Sequence, residues 1–371
     1  MAGRKAPWSA SERNRKPKLS ACASACLILF AAQPGLEGEQ AMATMADVAR
    51  MAGVSTATVS HVINGTRTVR EETRRVVQDA IESTGYSPNT LARSLATASS
   101  RSIAVVMSAI TNPYFGQVLQ GIETEAVRRG YTLLLAESRD DPDHELHVVR
   151  GMHERRVDGV ILAPSALPRQ TLDYVAAQRL PVVLADRVID DRYDQVGPEN
   201  TAPMAELVDH LAAAGHRRIG FVAGRRGLST TEERVRGYRE GLRRNGIEPD
   251  PELLVEGRSV TDTAVAATRR LLAHRPTALI TANNGMTIGA MQALGEAGLS
   301  VPRDIALVGF DDFPWAEWFS PRLTVIAQPC NDIGTEATRL LLRRIADPDA
   351  APETHRLRSR FVHRDSCGCN G

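Results

Sequence analysis

The spacing of apolar positions changes character twice along the chain. From Met45, Val48, Ala49 and Ala52 recur at helical spacing and Gly53 ends the run. Ser55 is placed to cap a second helix from Thr56 to Ile63, with Val59, Val62 and Ile63 turned inward. A third helix is expected from Glu71 to Thr84, with Val76, Val77, Ala80 and Ile81 as its inner stripe and Gly85 as its stop. Two short helices joined by the three residues GVS form a helix-turn-helix pattern. Beyond Arg101 the texture becomes short β-rich runs alternating with amphipathic helices. SIAVVM, YTLLLA, DGVILA and PVVLAD form a first set; RIGFVAG, ELLVEG, TALITA and DIALVGF repeat it after about residue 200. Strand–helix alternation of this kind predicts parallel sheets flanked by helices, and two sets predict two similar lobes. The expected fold is a small all-α helix-turn-helix domain followed by an α/β two-lobed core.

The second helix raises a chemical question. Residues 53–65, GVSTATVSHVING, contain no Asp, Glu, Lys or Arg in a chain that is 24% charged. Its outward positions are Thr56, Ala57, Ser60, His61 and Asn64. In a helix-turn-helix the second helix enters the major groove. Carboxylates there would repel phosphates, whereas small hydroxyls permit close approach and hydrogen-bond to phosphate. A small polar helix packed in an ordinary three-helix bundle is the alternative.

The ends of the expected strands carry a second constellation: ITNPYF after the first run, Asp186 after the fourth, Arg234 beyond RIGFVAG, Asn283 and Asn284 after LITA, Asp311 and Asp312 after ALVGF. Ligands of open parallel sheets bind beyond the carboxyl ends of the strands, so two facing lobes would form a cleft there. Each group also has a structural reading. Asp311 or Asp312 fits an Asx turn, Arg234 a surface pair with Glu232 or Glu233, Tyr114 and Phe115 the core, and Asn283 a helix cap.

Bulk composition adds little. Net charge is +1, so a nucleic-acid role has to come from a local surface. Five cysteines, Cys22, Cys26, Cys330, Cys367 and Cys369, do not make a disulfide framework and fit a reduced compartment. Cys367-Gly-Cys369 is read as a solvent-facing tail, and no metal site or cofactor is expected. Residues 1–43 combine basic positions with the short apolar run LSACASACLILFAA, in the form of a secretory signal. That run is too short for a membrane span, which needs about 20 residues. Met42 and Met45 immediately before the first helix favour a disordered extension or an upstream mis-assigned start.

MADVARMAGVSTATVSHVIN and TGYSPNTLARSLAT, with the pattern through residues 44–365, resemble the lactose-repressor family of bacterial transcription regulators. The resemblance implies a DNA-binding domain over 44–88, a hinge over 89–100 with a helix from about Asn89 to Ala96, and a core over 101–371 similar to periplasmic sugar-binding proteins. The first lobe is expected at about 101–198 and 331–351, the second at about 199–330 and 352–365. The DNA-contacting set is expected to be Thr44, Ser55, Thr56, Ala57, Thr58, Ser60, His61 and Asn64, with Asn89, Ala92 and Leu95 of the hinge. Leu95 matches the family's wedge into a central CG step of the minor groove. The effector positions carried over are Phe115, Asp186, Arg234, Asn283 and Asp311. Three features depart from the family: His61 stands where the lactose repressor has a guanine-reading arginine, Arg70 where a serine caps the third helix, and Glu199-Asn200 where Asp-Asn is commoner.

The expected protein is a cytoplasmic, ligand-responsive regulator that binds a palindromic double-stranded DNA operator as a homodimer, with no membrane partner. A leucine-heptad tail of the kind that makes tetramers is missing from RFVHRDSCGCNG. A sugar or sugar acid is the expected effector, with a nucleobase as the runner-up. The alternative is a secreted or periplasmic sugar-binding protein. The chain carries no GxxxxGKS, GxSxG or HExxH, and its nine histidines look scattered, so no catalysis is expected.

Overall fold

The computed structural model describes residues 43–65, 67–87 and 99–369. The chain divides between Pro88 and Asn89 into two compact units. The amino-terminal extension up to residue 42 and the hinge residues Asn89, Ala92 and Leu95 lie outside the described residues.

The first unit holds α1 (Met45–Ala52), α2 (Thr56–Asn64) and α3 (Glu71–Thr84). Thr44 and Asp47 form a capping box that satisfies free amides at the start of α1. Gly53, at φ +64°, ends α1 in the left-handed region, and Ser55 Oγ then accepts from Thr58 N at 3.1 Å to start α2. Val48, Val59 and Val77 are fully buried at the centre, with Ala49 and Ala80 beside them. The expected inner stripe of α3 needs one correction. Val77 and Ala80 face the core, whereas Val76 is 43% exposed. Adjacent residues on a helix lie about 100° apart, so Val76 cannot share the Val77 face. Arg70 gives α3 no side-chain cap; Glu71 and Glu72 sit in its first turn, where the helix dipole favours negative charge.

The second unit contains two sheets of six strands. Its first half runs β1 (Ser102–Met107), α4 (Pro113–Arg128), β2 (Thr132–Glu137), α5 (Pro142–Glu154), β3 (Gly159–Leu162), α6 (Arg169–Ala177), β4 (Val182–Ala185) and β5 (Asp194–Pro198). Its second half runs α7 (Thr201–Ala213), β6 (Ile219–Ala223), α8 (Ser229–Arg244), β7 (Leu254–Glu256), α9 (Thr261–Ala273), β8 (Ala278–Thr281), α10 (Asn284–Glu296), β9 (Ala306–Phe310) and β10 (Thr324–Ala327). The chain then returns through α11 (Cys330–Ala346) and closes with β11 (Thr354–Leu357) and β12 (Arg360–Val362). The sheet orders are β11-β5-β4-β3-β1-β2 and β12-β10-β9-β8-β6-β7, the same winding twice. Central strands such as Val182–Ala185 and Ala278–Thr281 are buried throughout, as parallel strands covered on both faces must be.

The third crossing between lobes falls later than expected. β11 still pairs with β5, parallel, and only β12 joins the second sheet, antiparallel to β10. The crossing therefore lies between Leu357 and Arg360 rather than near 352. The tail is also not simply solvent-facing, because Cys367 is 1% exposed.

Helices α4 and α11 pack closely because Gly121 and Gly334 leave no side chain between them. A Cβ on Gly121 would overlap the Asn331 carbonyl, and one on Gly334 the Val118 carbonyl. Gly121→Ala should destabilise the core by about 1–3 kcal/mol, since backbone cannot yield as a side chain would. Gly116→Ala, on the same helix with open space around it, should instead stabilise by about 0.5–1 kcal/mol. Thermal denaturation of the two variants against the parent checks both signs.

Candidate binding cleft and candidate nucleic-acid interface

Positions 56, 57, 60, 61 and 64 recur every three or four residues and so share one face of α2. Thr56, Ala57 and Asn64 are exposed, and Ser60 and His61 half-buried. The Asn64 amide donates to Ser60 Oγ at 3.2 Å. Three other members of the expected DNA set are already engaged in starting helices. Thr44 Oγ1 donates to Asp47 Oδ2 at 2.6 Å. The Ser55 and Thr58 hydroxyls lie 2.9 Å apart in a mutual hydrogen bond. The face therefore offers hydroxyls, an amide, an imidazole and a methyl group, with no carboxylate on the helix.

In the core, the carboxyl ends of both sheets meet around a cavity of about 170 Å³. All five residues singled out in sequence, Phe115, Asp186, Arg234, Asn283 and Asp311, line it. Asp186 follows β4 and Asp311 follows β9, equivalent strands of the two sheets. Both adopt positive φ, +70° and +80°. Aspartate is among the few non-glycine residues tolerated there, and the sharp turn aims each side chain off the strand end. Asp312, left open with Asp311 in the sequence, turns away to Arg364, with Nη2–Oδ2 at 2.9 Å.

Arg234 does not pair with Glu232 or Glu233. Its Nε donates to Asn200 Oδ1 at 2.9 Å, its Nη1 donates to the Ala282 carbonyl, and its guanidinium lies 3.9 Å from the Phe310 ring centroid. Asn283 is both a lining residue and a cap: its Oδ1 accepts from Met286 N at 2.8 Å to start α10. Tyr114 and Phe115 are core residues that also line the cavity, stacked edge to face at 5.1 Å.

Several residues outside the expected effector set also shape the cleft. Tyr114 Oη donates to Asp186 Oδ1 at 2.6 Å. Arg187 is buried between Asp186, at 3.4 Å, and Asp140, and its Nη1 donates to the Pro164 carbonyl at 2.6 Å. Asn200 orients Arg234 and is itself held by Glu233, to which it donates at 2.7 Å. Glu199 caps the following helix through Thr201 N at 3.0 Å, the local use of this departure from the usual pair. Two contacts join the lobes across the cleft: Asn284 Nδ2 to Asn112 Oδ1 at 2.9 Å, and Arg225 Nη1 to the Asp140 carbonyl at 2.7 Å. The Asp-Arg dipeptide at 186–187 was the only sequence signal for Arg187, and the Glu199 contact is local; the other pairings span 33 to 172 residues.

Burial raises the Asp186 carboxyl above its ordinary range, although Arg187 and the Tyr114 hydroxyl pull it down. Burial likewise raises Asp311 against the opposing pull of Arg234 and Gln328. A cavity with two such carboxylates, fixed guanidinium groups, amides and one aromatic wall can hydrogen-bond a small polar molecule from several sides.

The fold and these two surfaces define a DNA-reading helix-turn-helix module joined to a two-lobed small-molecule-binding core. Comparison with known proteins agrees. Residues 44–89 match the family described as bacterial regulatory proteins, lacI family, and residues 208–367 match a periplasmic binding protein-like domain. The chain is 36% identical over 335 residues to the HTH-type transcriptional repressor PurR of Mannheimia succiniciproducens, covering 88% of this chain and 98% of that one. Among solved structures, it is similar to the lac repressor dimer bound to operator and the anti-inducer ONPF, with TM-score 0.79, 29% identity, and 88% and 99% of the two chains covered. It is also similar to a transcriptional regulator CelR–cellobiose complex, with TM-score 0.66, 32% identity, and 87% and 99% covered. The chain belongs to the lacI family of bacterial regulatory proteins. No described helix is long and apolar enough to cross a membrane.

The raised Asp311 carboxyl has a stability consequence with a definite sign. The folded chain holds that proton more tightly than the unfolded chain does. The stabilisation is present below the ordinary value of 3.8 and is lost as pH rises through the raised value. Above the raised value the buried, ionised group is a cost. Asn tolerates the same backbone conformation, so Asp311→Asn should melt higher than the parent at neutral pH. The gap should narrow as pH falls toward 3.8, which thermal melts across that range will check.

Proposed function

We propose that this chain is a ligand-responsive, sequence-specific transcriptional repressor that binds a palindromic operator as a dimer in the cytoplasm. The observation that carries the reading is the pairing of two surfaces on one chain: an α2 face without acidic residues, and a cavity closed between two lobes. A cavity between lobes couples to DNA only if the ligand prefers one lobe arrangement over the other. Membership of the lacI family and the likeness to a lac repressor dimer on its operator support the DNA and dimer parts. They also weigh against a secreted sugar-binding role.

The effector class follows from the lining. Five arginines (139, 187, 225, 234 and 258) face three aspartates (140, 186 and 311). That excess of positive charge favours a ligand with its own acid group, and the carboxylates and amides suit hydroxyls. A sugar acid fits both. The CelR–cellobiose neighbour supports a carbohydrate ligand. Likeness to the PurR repressors favours a nucleobase instead, which would stack on the Phe115 wall.

Thermal-shift and calorimetric titration with sugar acids, neutral sugars and nucleobases separates the two. The sugar-acid reading expects binding that weakens roughly ten- to hundredfold in Arg234→Ala, the loss of one charged hydrogen-bonding group. Binding of nucleobases alone would replace it. For the DNA part, enrichment from a randomised duplex pool should recover a palindrome. Leu95→Ala should lower affinity for it roughly tenfold or more, because the wedge offsets an unstacking cost of a few kcal/mol. A pool that yields no sequence, with and without the bound effector, would count against the repressor reading.

A further inference from the structure

At the carboxy terminus the chain gathers four metal-type donors from separate places. His210 comes from α7, His363 follows β12, and Cys367 and Cys369 flank a turn. One donor atom from each lies within 4.8 Å of all the others. Cys369 Sγ is 3.2 Å from His210 Nε2 and 3.2 Å from His363 Nε2. Cys367 Sγ is 3.3 Å from His363 Nε2 and 2.8 Å from Cys369 Sγ.

The S–N separations of 3.2–3.3 Å lie a few tenths of an ångström inside those of a tetrahedral site, and the two sulfurs, 2.8 Å apart, have to open by about 1 Å to share an ion. With Zn–S near 2.3 Å and Zn–N near 2.05 Å, neighbouring donors stand about 3.3–3.8 Å apart. Gly368 supplies the backbone that lets both sulfurs face one point: its φ is +72°, which a side-chain-bearing residue rarely adopts. The segment is pinned at its base. Ser366 Oγ accepts from Thr324 N at 2.8 Å and donates to the Leu307 carbonyl at 2.5 Å, and Asp365 pairs with Arg322 at 2.8 Å. The two imidazoles are held too, with ring centroids 5.1 Å apart and His210 packed at 5.0 Å on Phe361. Two thiolates would neutralise a divalent ion, and two imidazoles complete four-coordination. Four soft or borderline donors select zinc over calcium or magnesium, which require oxygen.

We propose that His210, His363, Cys367 and Cys369 bind one zinc ion in a structural site that clamps the carboxy-terminal segment to α7. Four protein ligands leave no open position, so the ion is structural and not catalytic. Binding takes up Zn²⁺ and releases the two thiol protons. The proposal departs from the sequence-based expectation of no metal. His363 stands only four residues before Cys367 in the sequence, whereas His210 reaches the tail only through the fold.

The test uses the full chain, purified reduced and without chelator, then loaded with zinc and desalted. Elemental analysis should find about one zinc per chain. Cobalt loading should give the intense visible bands of a tetrahedral ion with sulfur-to-cobalt charge transfer. Cys367→Ser and Cys369→Ser should each lose the metal, whereas Cys330→Ser, away from the cluster, should keep it. Because a ligand variant can misfold, the unaltered chain gives a second measure. Zinc should shield Cys367 and Cys369 from alkylation, and a chelator should expose them. The proposal is overturned if the reduced, zinc-loaded chain keeps no metal. It is equally overturned if Cys367→Ser and Cys369→Ser retain zinc like the parent, or if alkylation of both thiols is indifferent to zinc.

Discussion

The core depends on two carboxylates buried opposite each other at equivalent strand ends. Burying charge is unfavourable unless it is paired and hydrogen-bonded. Asp186 meets that requirement with Tyr114 and Arg187, and Asp311 with Gln328, the Asn284 amide and the field of Arg234. Each arginine is fixed in turn, Arg187 by Asp140 and two further oxygens, Arg234 by Asn200, the Ala282 carbonyl and the Phe310 face. The charge arrangement therefore dictates which loops approach the cleft and how closely. It also leaves polar groups preset for a ligand that replaces part of this network.

The helix-turn-helix unit works on a different principle. Its core is small, centred on Val48, Val59 and Val77, so its helices rely on their caps. Thr44, Ser55 and Thr58 spend their hydroxyls there, which divides the polar residues of the module into those that build it and those left on the α2 face. The same side-chain chemistry serves both purposes, and only its position relative to a helix start separates them.

Much of this was legible in the sequence. Helices α1 to α3 follow from apolar spacing and from Gly53, Ser55 and Gly85. Eight strands follow from short apolar, β-rich runs. The strands that escaped are instructive. β5, Asp-Gln-Val-Gly-Pro, reads as a turn by composition. It is a strand because Asp194 is buried against Arg343 and Arg344 of α11, and because Gln195 bonds the amides of Ile189 and Asp190. β11 and β12 are short pieces whose assignment depends wholly on which sheet edge they reach. Local propensity is a weak guide where partners lie far along the chain.

Local pattern carried the α/β duplication, the helix-turn-helix, and Asp186, Asn283 and Asp311 just beyond apolar strands: periodicity, a cap, or a polar residue after an apolar run. Phe115 and Arg234, which lie within helices, joined the cleft set through the family resemblance. Tertiary structure decided what local pattern cannot carry. It separated Asp311 from Asp312, gave Arg234 to Asn200 rather than to its neighbouring glutamates, and brought His210 to Cys369 across 159 positions. Each of these is a choice between partners of similar chemistry, and only the path of the backbone through space determines which partner is within reach.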